Sequence, residues 1–248
     1  MAQDTRVCLG VAVDHRIRRL CKPVSPTQDS PKSSNHVSCI ERWGQLLNVP
    51  DYEIQVIAQL AGPAVKGGIA IVLQQPRKNH PFEDGLDAVI EDCKTLSSLC
   101  DIFATVSCGT LDLRTDISVV DLLPYIPDKV TTINDVTLKD SFRTSVQAVC
   151  DKEPDVLLCA GQIWTKKFDD RKGDSNKIES IGPGKKFGST PKLPVRARIR
   201  HGDKGLVTIP RVNGFHPSYA INYNPHASVL RQLLILTAAE TCGMLLDH

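Results

Sequence analysis

Gly67-Gly68-Ile69-Ala70-Ile71-Val72-Leu73-Gln74-Gln75-Pro76 is the stretch on which the fold turns. Five apolar residues in a row, rich in β-branched side chains, follow a glycine pair and stop at a polar loop. Because the run is continuous rather than alternating, it predicts a strand covered on both faces, as in a parallel sheet. Working outward, a polar loop to about Glu83 leads into a helical pattern over 84–100, and residues 117–123 form a second strand candidate that ends at Pro124. Leu138, Phe142, Val146 and Val149 recur at helical spacing, and 155–160 is another short apolar run, bounded by Pro154 and Gly161. Residues 206–212 supply a fourth strand candidate. Asn224 and Pro225 read as the N-cap and first residue of a helix running to about Leu246. Strands alternating with helices predict an α/β protein, a three-layer α/β/α sandwich around a central, mainly parallel sheet of about four strands.

Upstream, 39–47 and 52–60 carry short helical patterns, and 22–38 is rich in Pro and Ser, which reads as a mobile linker or long surface loop. Residues 6–20 suit one short element, strand or helix. The expected organisation is therefore an N-terminal extension with its linker at 1–38 and one α/β domain at 39–248, with a basic insertion at 166–205.

A chain of 248 residues with 41% apolar and 23% charged side chains can bury a single sizeable core. No apolar run reaches the ~18 residues of a membrane span, and the longest candidate is broken by Arg231, Gln232 and Glu240. Arg6, Arg16, Arg18 and Arg19 are interrupted by Asp4 and Asp14 with no apolar core behind them, which argues against secretion. Nine scattered cysteines without a CxxC pair argue for reduced thiols in the nucleus or cytoplasm, and against a zinc knuckle. Cys159, inside an apolar run, reads as a small core residue. No motif points to a metal or a cofactor, and the oligomeric state is left open.

Charge is unevenly spread. Residues 166–211 hold thirteen Lys or Arg against five Asp or Glu, an excess of +8 in a chain of net charge +2, so the remainder sums to −6. Such asymmetry is a polyanion signal, and a solvated, flexible insertion is its bland alternative.

In parallel sheets ligands bind outside the carboxyl ends of the strands, which directs attention to Gln75, Asp121 and the segment Gly214-Phe215-His216-Pro217-Ser218-Tyr219. His-Pro-Ser after a strand and before the last helix resembles the signature loop of the uracil-DNA glycosylase superfamily. Leu73-Gln74-Gln75-Pro76 resembles that family's water-activating loop, and Val119-Val120-Asp121-Leu122-Leu123 its strand ending in a base-reading Asn. The resemblance spans roughly 67–246. It implies hydrolysis of the bond between a base and its deoxyribose after the nucleotide has been flipped out of the duplex. His216 would then donate to the departing base, while Asp121 reads the base or charges the site and Gln75 holds water.

Four positions depart from the family's pattern. Gln75 stands where the catalytic Asp is usual, and Arg77 stands for a pocket-walling Tyr. Asp87, Ala88 and Val89 offer no stacking aromatic. Asp121 replaces Asn, and an ionised Asp121 would repel O4 of uracil, so uracil is not the expected base; the amine of cytosine or adenine is an alternative, and strand closure without any site role is another. Tyr219 and Ile221 fall where the family wedges a side chain into DNA, although packing on the last helix is the commoner fate of such side chains. The resemblance assigns DNA contact to Ser218, Tyr219, Ile221 and Arg77. Lys185, Lys186, Arg196, Arg198 and Arg200 would bind phosphate from an insertion tethered beside the pocket, with salt-dependent affinity. Two readings stand: a divergent DNA glycosylase-like protein, or an inactive nucleic-acid-binding module of the same fold. An acyl hydrolase would need a Gly-x-Ser-x-Gly elbow, which Ser218 lacks.

Overall fold

The structure, a computed structural model, describes residues 19–25, 32–126, 134–160, 177–178, 196–201, 205–214, 216–218 and 227–246. The apolar run after the glycine pair is strand β1 (Ile69–Leu73), and every residue of it is buried. It lies between β2 (Ile117–Asp121) and β3 (Val156–Ala160), parallel to both, with Ile69 opposite Ile117 and Val156. A later strand, β6 (Gly205–Gly214), runs parallel to β3 through its last four residues, Leu157 facing Arg211 and Ala160 facing Gly214. Burial on both faces is why the strands read as continuous apolar runs.

Two helices precede β1, α1 (His36–Leu46) and α2 (Asp51–Ala61), and they meet closely at Gly44. A Cβ there would lie 2.7 Å from Ile54 Cγ1 and 2.8 Å from Tyr125 Cζ, so only glycine admits this approach. The helical pattern over 84–100 resolves into α3 (Leu86–Asp92) and α4 (Lys94–Val106), because Cys93 is extended at φ −89 and ψ 99. Helix α5 (Asp135–Lys152) is capped by Asn134, whose side chain accepts from the Thr137 amide at 2.8 Å. The last helix is α6 (Ala227–Leu246). Helices α1, α2 and α5 pack together as one layer, and α4 packs on α6 as the other, giving the three-layer α/β/α sandwich. Cys159 and its neighbours in β3 are within the core.

Two expectations are corrected. Part of the 22–38 stretch is pinned to the body: Val24 is 1% exposed and exchanges hydrogen bonds with Thr110 Oγ1, and Ser33 bridges Val65. More consequential is the basic stretch, whose described parts are strands β4 (Lys177–Ile178) and β5 (Arg196–His201). The full sheet order is β2-β1-β3-β6-β5-β4, with β5 antiparallel to the first half of β6. Arg196 pairs with Pro210, and Arg200 with Leu206. Arg211 pairs with Leu157 in β3, so Pro210 stands level with Val156, the first residue of its strand. Positions 196, 198 and 200 therefore lie at or beyond the amino ends of the parallel strands, not beside the carboxyl-end pocket. The physical reason is that an antiparallel return pairs with the part of β6 that β3 leaves free. Arg211, counted in the basic stretch, is 2% exposed and unavailable to phosphate. Lys185, Lys186, Tyr219 and Ile221 lie outside the described residues. Among the described residues, no helix is long and apolar enough to cross a membrane.

Candidate functional site

Leu73, Asp121 and Gly214 end their strands at one edge, because the register pairs Leu73 with Asp121 and Ala160 with Gly214. Backbone pairing continues past the strands: Leu122 N donates to Leu73 O at 3.0 Å and Leu123 N to Gln74 O at 2.9 Å. That continuation carries Gln75 and Asp121 to the same rim, where a cavity of about 480 Å³ opens. Gln75, Arg77, Asp121, His216 and Ser218 all line it, over a floor that includes Leu73 and Val119. The volume and the mixture of apolar floor with a few converging polar groups are those of a small-molecule site.

His216 is half-buried, and its Nδ1 lies 2.7 Å from Ser218 Oγ and 3.3 Å from the Ser218 backbone N. An amide N–H only donates, so Nδ1 accepts and the ring proton of the neutral imidazole sits on Nε2. Burial lowers the pKa of His216, which favours this neutral form. The two-residue spacing of His and Ser thus presents an N–H donor from a fixed tautomer.

Asp121 ends β2, where Ser145 Oγ of α5 donates to its carbonyl oxygen at 2.7 Å. The residue as a whole is half-buried, but its carboxyl Oδ1 is shielded from solvent and makes no hydrogen bond. Desolvation without a compensating partner raises its pKa from 3.8 to about 7. Burial thus holds the Asp121 carboxyl well above the usual carboxylate range. Strands β2 and β6 are three spacings apart, so Asp121 and the His216 loop face each other across ~14 Å of sheet edge.

The remaining wall comes from the loop after β1. Gln75 Oε1 accepts from Gln74 Nε2 at 3.4 Å. Arg77 pairs with Asp92, Nη2 to Oδ2 at 3.3 Å, which holds its guanidinium at the rim. His80 and Phe82 also line the cavity, their rings edge to face with centroids 5.4 Å apart. The His80 side chain is 4% exposed; its Nδ1 makes no hydrogen bond and lies 3.8 Å from Asp92 Oδ2. Burial, then the Arg77 charge, lowers its pKa. Sequence reading passed over His80, Phe82 and Lys94, since it expected the stacking ring nearer Ala88. Their signal was the aromatic and imidazole groups of His80-Pro81-Phe82 in the loop directly after the first strand.

Among the described residues, no group of three His, Cys, Asp or Glu side chains is placed to hold a metal ion. No protein-family model matches the chain, and no curated protein matches it significantly. The site thus offers a neutral N–H donor at one end, a carboxyl with one unpartnered oxygen at the other, an apolar floor and an aromatic wall.

Proposed function

We propose that this chain receives a pyrimidine base turned out of DNA, as a divergent relative of the uracil-DNA glycosylases. The observation that carries the reading is the convergence of Gln75, Asp121 and His216, from three strand ends, on one cavity. The Nε2–H of His216 suits a pyrimidine carbonyl oxygen, and the carboxyl of Asp121 suits the opposite edge of the ring. Phe82 and His80 give the ring faces to lie against.

Two outcomes follow for a bound nucleotide. In hydrolysis the bond from base to sugar breaks with its electron pair leaving on the base, and a hydrogen bond from His216 to the carbonyl oxygen stabilises that charge. A water oriented by Gln75 adds to the sugar carbon, and its proton neutralises the departed base. In the second reading the base is held without cleavage. That reading draws on the fact that Asp121 is the only carboxylate among the described residues lining the cavity, which leaves neutral Gln75 where a cation-like sugar needs charge.

Duplex oligonucleotides carrying one uracil or one mismatched cytosine beside 2-aminopurine separate these outcomes. Fluorescence of the 2-aminopurine rises when its neighbour is extruded, and chromatography detects free base. Extrusion with release means hydrolysis, which His216→Leu should slow by about 100- to 1,000-fold if its N–H acts on the leaving base. Extrusion alone means a binding module. No extrusion from any mismatch would refute the proposal.

A further inference from the structure

The antiparallel half of the sheet carries a charge pattern that the cavity does not use. Strand β5 reads Arg196-Ala197-Arg198-Ile199-Arg200-His201, and its alternation places positions 196, 198 and 200 on one face and 197 and 199 on the other. Directly opposed residues of an antiparallel pair share a face, so positions 196, 198 and 200 lie with Pro210, Thr208 and Leu206 of β6. Lys177 of β4 stands opposite Arg200 and joins the same face. Thr208 is exposed and Pro210 half-buried, whereas Ile209 and Arg211, which alternate with them, are each 2% exposed. The cationic positions therefore occupy the open face, and the core lies under the other.

Successive positions on one face of an antiparallel strand are ~6.8 Å apart, and the neighbouring strand is ~4.8 Å away. Positions 196, 198 and 200 thus form a straight file ~14 Å long, which Lys177 widens by one strand at its end. Among these opposed positions of β4, β5 and β6 none is acidic and none is aromatic.

We infer that this face is a docking surface for an unpaired nucleic-acid strand, held by consecutive phosphates along β5 and not by its bases. A single strand can straighten to lay its phosphates along the file. The backbone of a duplex winds once about its axis in about ten base pairs and is stiff, so it leaves a straight file after two or three phosphates. Without an aromatic ring to stack on, the bases add little, and DNA and RNA are held alike through the backbone they share. The inference is independent of the pyrimidine reading, because this face lies toward the amino ends of the parallel strands and the cavity at their carboxyl ends.

Fluorescence anisotropy of labelled oligomers with the full chain tests it at several salt concentrations. The probes are oligo-dT, oligo-U, an all-abasic deoxyribose phosphate chain and a duplex of the same length. The abasic chain has no base to enter the cavity, so it reads the phosphate surface alone. The three single strands should bind within about 3-fold of one another, and each more tightly than the duplex. Replacing Arg196, Arg198 and Arg200 together by Gln should flatten the log–log salt slope for the abasic chain by about 2, at ~0.7 per phosphate, and weaken its binding about 100-fold near ~0.1 M salt. Replacing the same three by Lys keeps the charge and should retain the slope, which separates loss of contact from loss of fold. Lys22→Gln, Lys32→Gln and Lys139→Gln together remove equal charge elsewhere on the surface and should leave the slope unchanged. Tighter binding of the duplex, binding that requires bases, equal losses from the two sets of Gln substitutions, loss of the slope in the Lys variant, or no salt-dependent binding by the wild-type chain overturns the inference.

Discussion

Replacing Asp121 by Asn should stabilise the unliganded protein, and the gain should grow with pH. The side chain keeps its shape and loses its charge, so the change isolates the cost of ionising a buried carboxyl. Folding raises the pKa of Asp121 from 3.8 to about 7, a displacement equivalent to about 4 kcal/mol at ~1.4 kcal/mol per unit. The sign follows from which state holds the proton more tightly. Here the folded chain does, so the stabilising contribution is complete below about pH 4 and is lost as pH rises through about 7. Asp121→Asn lacks this dependence, and any cost of burying its amide is a constant offset. Urea unfolding of both proteins at about pH 5 and about pH 8 should therefore show their stability difference moving by about 2 to 3 kcal/mol in favour of the variant at the higher pH. Parallel stability curves would refute the reasoning, because they would mean the carboxyl is as well solvated when folded as when unfolded.

Gly44→Ala should cost about 1 to 3 kcal/mol in urea unfolding, since its Cβ would meet Ile54 and Tyr125 at under 3 Å where α1 crosses α2. A change within experimental error would show that this crossing relaxes freely. The basic stretch should bind duplex DNA with little sequence preference and a log–log salt slope of about −4 to −5 if about five phosphates are contacted. Neutralising Lys185, Lys186, Arg196, Arg198 and Arg200 together should flatten the slope, as measured by fluorescence anisotropy at several salt concentrations. Binding that is insensitive to salt or to the substitutions would reduce the stretch to solvated charge.

The parallel core was legible because burial on both faces leaves an unmistakable record. β1 could be read residue for residue, and the approximate positions of β2, β3, α2 and α5 came from runs and spacings of the same kind. The candidate site was legible in outline for a related reason: a strand end is where a parallel sheet exposes polar groups, and Gln75, Asp121 and His216 each sit just there. What escaped was local chemistry set by three-dimensional surroundings. Nothing in the sequence states that Oδ1 of Asp121 has no partner, so the lift of its pKa by burial was not legible there. His80 and Phe82 escaped because a loop records no periodicity. β5 escaped for a different reason: Arg-Ala-Arg-Ile-Arg-His alternates with the period of a strand, but its charge drew attention first.

That strand changes how the two halves of the molecule relate. β6 is ten residues long, and it spends its last four on β3 and its first six on β5. From Gly214, two residues before His216 of the cavity, back to Leu206, the partner of Arg200, is ~26 Å of extended chain at ~3.3 Å per residue. A phosphate held opposite Leu206 is therefore not the phosphate of a nucleotide lying in the cavity. If both regions meet one duplex, they meet it several base pairs apart, and their energies should be separable. Base affinity in the cavity should respond to Asp121→Asn and ignore the arginines at 196, 198 and 200. Duplex affinity should follow salt and those arginines and ignore Asp121. Because sites that share no partners are additive to within ~0.5 kcal/mol, combining Asp121→Asn with the five neutralising substitutions gives a double-mutant cycle with no coupling term. A coupling above that level would place the basic segment next to the cavity after all, and with it the phosphates nearest the bound base.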